Sequence, residues 1–408
     1  MLDYNSKLKN ISFREIIILA TLFILPFYFV KLKYDWISLN LVEILILALL
    51  VFWLFSRDTR YEIRDTRYQL PVFLILAGVI FSIVVNKNYY VGFGILKGWF
   101  VLPMIFVYVF YDSLKKNERL LGWSLWALFY SGAFLSIEGI YYRLSGLLTY
   151  DGRLKIFFDS PNQLAMFLGP VFLIGILRFN LSKLLRLNLR EGLSAVSILL
   201  VGINLYLTNS FGAWVAVGLA FSAVFWLKYS KKEQRAGLVI FLLILLILFG
   251  WIGISKYKNI ERLGERSSLA SRMMIWKSAG LMLKNNLLFG IGPGNFQNKY
   301  LEYQKYFPPY LEWAVPQPHN LFLAWWLEAG FLGLLGFILL LVQFFRDNKK
   351  AIRANRETAL VCFGIILYFI FHGLVDTTYW RNDMAVVFWI VVMVNLYLSQ
   401  SKSAAKSN

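Results

Sequence analysis

Charged residues are scarce in this chain of 408 residues. Asp, Glu, Lys and Arg together make up 16% of it, while hydrophobic residues make up 59%. Soluble globular proteins carry about 25% charged and about 45–50% apolar residues. The composition therefore excludes a soluble enzyme, a disordered chain and a fibrous protein.

Cysteine and histidine are nearly absent. Cys362 is the single cysteine, so the chain forms no internal disulfide and cysteine usage gives no information about the redox compartment. The two histidines are His319 and His372. No grouping of His, Cys, Asp and Glu has the spacing of metal ligands. The sequence therefore predicts neither a metal site nor another cofactor.

Acidic residues are also few: the chain has 23 Asp and Glu but 42 Lys and Arg, which gives a net charge of +19. Such a balance is typical of chains that contact nucleic acid or another anionic surface. In so apolar a chain we attribute the charge to cytoplasmic loops of a membrane protein, and in part to an anionic ligand. We expect no nucleic-acid partner.

Long apolar runs recur along the whole chain. A helix that crosses a bilayer needs about 20 mostly apolar residues. Twelve stretches approach this length: 15–31, 36–56, 70–86, 92–111, 121–141, 162–178, 193–209, 211–228, 236–255, 320–345, 357–379 and 383–399. The fourth is the weakest of them, because Lys97 interrupts it. We predict an all-α integral membrane protein with about 12 transmembrane helices and one long, partly helical periplasmic loop.

Lys and Arg concentrate in alternate loops, which predicts the orientation. With a cytoplasmic N-terminus, more than half of the 42 basic residues fall on cytoplasmic segments, in agreement with the positive-inside rule. Both termini are then cytoplasmic. We divide the chain into nine transmembrane helices over 1–255, a periplasmic loop over 256–318, and three helices with a cytoplasmic tail over 319–408.

The long loop contains an amphipathic segment, SSLASRMMIWKSAGLMLKNN, for which we predict a helix. It also holds three arginines: Arg262, Arg266 and Arg272. A solvated basic face explains any one of them. Together they suit a diphosphate headgroup, because guanidinium groups bind phosphate oxygens through paired, charge-assisted hydrogen bonds. Arg153, in a second outer loop over 142–161, is a further candidate for this site.

His319 stands before the predicted tenth helix, with Asn320 beside it. It is either a polar cap at the membrane interface or a general base, since imidazole titrates near neutral pH. His372 precedes Asp376 by four residues, and a structural hydrogen-bonded pair on one helix face is the favoured interpretation there. Glu328 lies inside a predicted span, where an acid either serves function or bonds a neighbouring helix.

Three stretches resemble a known family, the bacterial O-antigen ligase and O-antigen polymerase superfamily of polytopic membrane glycosyltransferases, and are most like the ligases. PHNLFLAWWLEAGFLGLLG is similar to the family's His-Asn helix, with a later Glu and Gly-x-x-Gly. SRMMIWKSAGLMLKNNLLFGIGPGNF is similar to its loop, with an Arg, a Trp four residues later and a Gly-x-Gly turn. GRLKIFFDSPNQLAMFLGP is similar to its Arg before a Pro-Asn that opens a helix. HGLVD also fits.

The resemblance implies a function in the bacterial inner membrane. Family members transfer a glycan from an undecaprenyl-diphosphate carrier to an acceptor hydroxyl on the periplasmic side, and in ligases the acceptor is the lipid A–core oligosaccharide. By position, His319 would be the general base of a metal-independent, inverting transfer. Arg272 would bind the diphosphate, with Arg266, Arg153 and Asn320 as further substrate-binding residues. Membrane lipids would surround the donor's tail.

One position departs from the family pattern. Relatives commonly carry an arginine in a Ser-Arg-Gly-Ala-Trp pattern, whereas this chain reads SFGAW, with Phe211 in its place. If that arginine contacts the diphosphate, another residue must replace it here.

Two other functions stay open on the sequence. An O-antigen or related exopolysaccharide polymerase would use the same donor with a lipid-linked acceptor. A secondary transporter would also have about twelve helices, but neither the repeated halves nor the broken helices typical of transporters are evident in the sequence.

Overall fold

A computed structural model describes residues 11–34, 37–56, 66–179, 189–229, 268–308 and 313–401. Helices dominate these ranges. Their bounds are α1 (Phe13–Phe23), α2 (Leu41–Phe55), α3 (Gln69–Asn86), α4 (Tyr89–Ile95), α5 (Leu102–Lys116), α6 (Arg119–Leu144), α7 (Pro161–Arg178), α8 (Leu189–Leu207), α9 (Phe211–Lys228), α10 (Ser268–Asn285), α11 (Phe296–Tyr303), α12 (Leu321–Ala354), α13 (Arg356–Gly373) and α14 (Asn382–Ser401). The two strands β1 (Lys31–Tyr34) and β2 (Ile37–Asn40) pair antiparallel.

Eight helical segments of the described chain are long and apolar enough to cross a membrane. They are Thr66–Asn86, Tyr89–Lys116, Arg119–Leu144, Pro161–Arg178, Phe211–Lys228, Leu321–Ala354, Arg356–Gly373 and Asn382–Ser401. Two shorter apolar helices are Leu41–Phe55 and Glu191–Leu207. The predicted all-α, multi-pass membrane protein is confirmed. The count of 12 helices stays a prediction, and the predicted span 236–255 lies outside the described residues.

Lys97 does not interrupt the fourth predicted span. It lies in a π-helical turn, Leu96–Val101, which joins α4 to α5 and keeps the helix continuous over Tyr89–Lys116. Such turns insert one extra residue into a helix and occur often at functional sites.

The chain forms two compact units. The first comprises residues 1–64, 98–210 and 381–397, and the second comprises residues 65–97, 211–380 and 398–408. In the first unit, the buried carboxylate of Asp112 on α5 accepts hydrogen bonds from Arg14 at 3.0 Å, from the indole of Trp53 at 2.9 Å and from Lys116 at 3.2 Å. The two cations balance the negative charge of this buried carboxylate, and its hydrogen bonds connect α1 and α2 to α5.

In the second unit, α3 and α12 pack backbone against backbone through glycines. Gly78 of α3 contacts the backbone of Gly333, and Gly336 of α12 contacts the backbone around Pro71 and Ile75. Small residues let membrane helices approach this closely. The Gly-x-x-Gly spacing read from the sequence therefore serves helix packing.

Helix α12 is broken at Gly330, which has φ 68° and ψ −175°. The break separates a short first part, residues 321–329, from a longer second part. Backbone groups freed by such a break need partners inside an apolar environment. The glycine-rich segment that follows α10 supplies them, since Ile291 N donates to Leu327 O at 2.6 Å and Phe331 N donates to Leu288 O at 2.9 Å.

Helix α10 forms where the sequence predicts the amphipathic helix. Its apolar face packs into one buried cluster with α11 and the first part of α12; the α10 members are Met274, Ile275, Ala279, Met282 and Leu283. Met273 is 47% exposed, so the buried face runs through Met274 and Ile275 instead.

A substitution at Gly336 tests the close packing of α3 and α12. A methyl group there would lie 2.7 Å from Pro71 O, whereas one at Gly280 of α10 meets no atom within 4 Å. We expect Gly336→Ala to lower the unfolding temperature, since overpacking costs about 1–3 kcal/mol. Gly280→Ala is the control and should not lower it, because alanine favours a helix over glycine by about 1 kcal/mol.

The buried Cys362, as the only cysteine of the chain, reports unfolding when it reacts with a thiol dye on heating. Equal unfolding temperatures for the two variants would contradict the packing described.

Candidate functional site

His319 faces a carboxylate in the second unit. Its Nδ1 lies 3.0 Å from Oδ1 of Asp376, in the loop between α13 and α14. The histidine side chain is 30% exposed and the aspartate side chain 2% exposed. An imidazole whose Nδ1 faces a buried carboxylate carries its proton on that nitrogen and presents Nε2 as an acceptor. The arrangement suits a general base.

The segment before α12 is tied to this loop on both sides of the histidine. Gln317 donates to Trp380 O at 3.1 Å, and Asn320 donates from Nδ2 to Leu374 O at 3.0 Å. Asn320 also caps α12, because its Oδ1 accepts from Phe322 N and Leu323 N. In this structure Asn320 serves the fold, and its direct contact with substrate stays a prediction.

The backbone at His319 has φ 48°, in the left-handed region. This conformation costs a residue other than glycine about 1–3 kcal/mol and persists only where surrounding contacts enforce it. Trp276 of α10 supplies such contacts, since its indole N–H lies 3.1 Å from Pro318 O and 3.3 Å from His319 O.

Arg272 lies one helical turn before Trp276 and reaches the other half of the pair. Its Nε donates to Val375 O, next to Asp376, at 2.8 Å. The predicted residues Arg272 and His319 are therefore brought together around one carboxylate.

The charge of Asp376 is stabilised by its surroundings. Burial alone would raise its pKa, but the charge and hydrogen bond of His319, together with His372 and Arg272, hold the pKa of that carboxyl well below its usual range. Oδ1 also accepts from Thr377 N at 2.9 Å, while Oδ2 is buried and has no hydrogen-bond partner among the described residues. Asp376 therefore stays ionised where an imidazole titrates.

His372 is buried, and its Nδ1 lies 2.8 Å from the hydroxyl of Tyr368. The sequence predicts His372 and Asp376 on one helix face, but the structure places Asp376 beyond the helix, with its Oδ1 against His319. The reason is that α13 ends at Gly373, so Asp376 leaves the helical register. The start of α9 also reaches this region, since Gly212, next to Phe211, lies against Val375 and His372.

Arg153 lies in the first unit. It donates to Thr208 O and to Asn162 Oδ1, both at 2.8 Å, just before α7. Ser160 caps α7 and Pro161 opens it, as the Pro-Asn pattern indicates. Arg262 and Arg266 lie outside the described residues.

Glu328 lies at the end of the first part of α12 and is buried. Its Oε2 accepts from Gly294 N at 3.3 Å, in the segment that fills the helix break. It therefore bonds the backbone of a loop rather than a neighbouring helix, and a functional role for Glu328 stays a prediction.

Sequence reasoning missed Trp276 as a partner of the histidine and Asp376 as its acid. The spacing Arg-x-x-x-Trp places Arg272 and Trp276 on one helix face, which is a usable signal. The pairing of His319 with Asp376, 57 residues later in the chain, has no local signal.

Comparison with known families decides how this site is interpreted. Residues 196–338 match the family model described as O-antigen ligase. The chain carries an O-antigen ligase family domain. The resemblance read from the sequence is confirmed, and the match covers about a third of the chain. No curated protein matches the chain.

The O-antigen ligase domain contains Arg272, Trp276 and His319, and ends before Asp376. Family members are glycosyltransferase-like enzymes of O-antigen processing that act on lipid-linked glycans. The Asp376 carboxylate therefore reaches this domain from the C-terminal part of the same unit.

Chemical modification tests the environments of the two histidines. Diethyl pyrocarbonate transfers an ethoxycarbonyl group to unprotonated, accessible imidazoles. We expect it to modify His319, which is partly exposed, and to spare His372, which is 1% exposed. Peptide mass spectrometry of the folded protein in detergent measures both sites. Equal modification of the two would contradict the described burial, and the unfolded chain, in which both react, is the control.

Proposed function

We propose that this protein transfers a glycan from an undecaprenyl-diphosphate carrier to the lipid A–core oligosaccharide at the periplasmic face of the bacterial inner membrane. The observation that carries the proposal is the 3.0 Å contact of His319 with Asp376, in the unit that contains residues 211–338 of the O-antigen ligase match. The opposite side of the membrane would hold both termini, as the positive-inside rule predicts.

His319 is the general base in this proposal. The buried carboxylate of Asp376 holds the Nδ1 proton and orients the ring, so Nε2 is available to accept the proton of an acceptor hydroxyl. As a negative charge next to the ring, it also stabilises the imidazolium that forms. Asp376 is thus a positioning residue for His319.

Arg272 stabilises the leaving group. Guanidinium groups match phosphate oxygens in geometry and charge, and they remain protonated at every relevant pH. The hydrogen bond from Arg272 Nε to Val375 O holds the guanidinium group beside the loop that carries Asp376, since Val375 is the residue before Asp376. A diphosphate held there would present its sugar close to His319.

The reaction follows from these positions. The acceptor oxygen attacks the anomeric carbon and forms the new glycosidic bond while its proton passes to Nε2 of His319. The bond between the anomeric carbon and the diphosphate oxygen breaks, and undecaprenyl diphosphate leaves with the electron pair. Arginine stabilises the charge on the leaving oxygens. A single direct displacement inverts the anomeric configuration.

Phe211 stands where relatives commonly carry an arginine, so this chain has no charge at that position. The start of α9 lies against Val375 and His372, so an arginine there in relatives would stand beside the same cluster. In this chain Arg272 would meet the diphosphate without that arginine, and Arg266 and Arg153 are the further candidates for this role.

Substitution of the dyad tests the base. We expect His319→Ala to lower kcat about 10²–10⁴-fold, the usual contribution of a positioned general base. Asp376→Asn should also lower kcat, because an amide NH2 can donate to Nδ1 and so favour the wrong tautomer, and because a neutral amide does not stabilise imidazolium. Purified lipid-linked glycan and lipid A–core serve as substrates. Lys284→Ala, on an exposed face of α10, is the control. Undiminished transfer by His319→Ala would end the proposal.

The acceptor decides between ligase and polymerase. Transfer to lipid A–core, but not to a second lipid-linked glycan, supports the ligase. Transfer only to the lipid-linked glycan would make the protein a polymerase.

Substitution of Arg272 tests the donor site. We expect Arg272→Met to raise KM for the lipid-diphosphate donor and to lower kcat, since binding and leaving-group stabilisation are both lost. Lys277→Met removes a cation from the exposed face of the same helix and should change neither value. Initial rates at varied donor concentration measure both. An unchanged donor KM and kcat for Arg272→Met would contradict the assignment.

A further inference from the structure

Two side chains on one turn of α10 reach the two separate segments that form the dyad. Arg272 and Trp276 are four residues apart, so they project from the same face of the helix. Arg272 bonds the loop that carries Asp376, and Trp276 bonds the segment that carries His319.

Trp276 contacts the backbone at His319, which holds an unfavourable conformation. The indole N–H lies between the carbonyls of Pro318 and His319, at 3.1 and 3.3 Å. His319 itself holds a left-handed backbone conformation, which directs its ring differently from an extended or helical residue. Loss of the indole donor therefore frees the backbone to rotate the imidazole away from Asp376.

The packing of α10 holds Trp276 in place for this contact. The adjoining face of the helix is buried through Ile275, Ala279 and Met282, in a cluster shared with α11 and Val315. Val315 lies four residues before His319 in the chain. The helix and the histidine segment therefore rest on one core, and Trp276 packs against the edge of it.

We propose that Trp276 is a positioning residue for the transfer reaction, whose indole N–H holds His319 opposite Asp376 while Arg272 holds the Asp376 loop. The inference rests on the proposed function for its kinetic effect only. In physical terms, α10 is the element that assembles the dyad.

Trp276→Phe tests the proposal, because it keeps an aromatic ring for packing and removes the N–H donor. We expect kcat to fall about 10- to 100-fold, since small misplacements of a catalytic group cost rate on this scale. KM for donor and acceptor should stay within about twofold. The matched control is Trp326→Phe, which removes an indole bond to Leu287 O of 2.8 Å. The backbone bonds of Leu327 and Phe331 to the segment after α10 remain in this variant, so kcat should be unchanged.

A second measurement does not depend on activity. The chain contains two histidines, so isotope-labelled imidazoles give two NMR signals. In Trp276→Phe the His319 signal should shift or broaden, while the His372 signal stays unchanged; in Trp326→Phe both should stay unchanged. A changed His319 signal supports the positioning role even where His319→Ala retains transfer, which would overturn only the proposed base.

Three outcomes would overturn the positioning role. One is an unchanged His319 signal together with an unchanged kcat in Trp276→Phe. Another is a raised KM at constant kcat, which would assign Trp276 to substrate binding. The third is a Trp276→Phe chain in which the thiol of Cys362 reacts without heating, because the tryptophan would then be needed only for folding.

Discussion

The contact between His319 and Asp376 is the interaction on which the second unit's site depends. A buried carboxylate is costly unless positive charge and hydrogen bonds compensate it. Here the compensation comes from segments far apart in sequence: Arg272 on α10, His319 before α12 and His372 on α13. Three side chains, Gln317, His319 and Asn320, then join one segment to the loop after α13. A side-chain arrangement of this kind exists only in the folded unit.

The break in α12 serves the same geometry. If α12 were unbroken, His319 would lie at the end of a single helix of more than thirty residues. The bilayer would then set its position along the membrane normal. The break at Gly330 makes the first nine residues a separate element, whose position is set by hydrogen bonds to the segment after α10. Glu328 adds a further bond to that segment at Gly294. Broken helices are typical of transporters, but here the freed backbone groups bond a loop of the O-antigen ligase domain.

The helices were predictable because apolar length and periodicity are local properties. The amphipathic helix α10 and the start of α7 at Pro161 appear where the sequence places them. The break at Gly330 was not predicted, since glycine is common inside membrane helices and only the neighbouring backbone enforces its positive φ. The β1–β2 hairpin was missed as well, because KLKYDWIS lacks a turn signal of the Asn-Gly kind. In the site, His319 and Arg272 stood out by residue type. The pairing of Asp376 with His319 could not be predicted, because it depends on α13 ending at Gly373. The apolar run continues past that residue, so the sequence does not show where the helix ends.

Positive charge alone could not have separated the structural arginines from the functional candidate. Arg14, Arg67 and Arg381 each bond an aspartate whose side chain is fully buried: Asp112, Asp347 and Asp383. Each of these pairs balances its own charge, so those arginines contribute to the fold. Arg272 instead bonds the neutral carbonyl of Val375, and the nearby carboxylate of Asp376 faces a histidine. The charge of Arg272 also acts on that carboxylate, so Arg272 belongs to the cluster around His319. The position of an arginine in the folded unit, rather than the total charge of the chain, therefore singles out the residue proposed to bind a diphosphate.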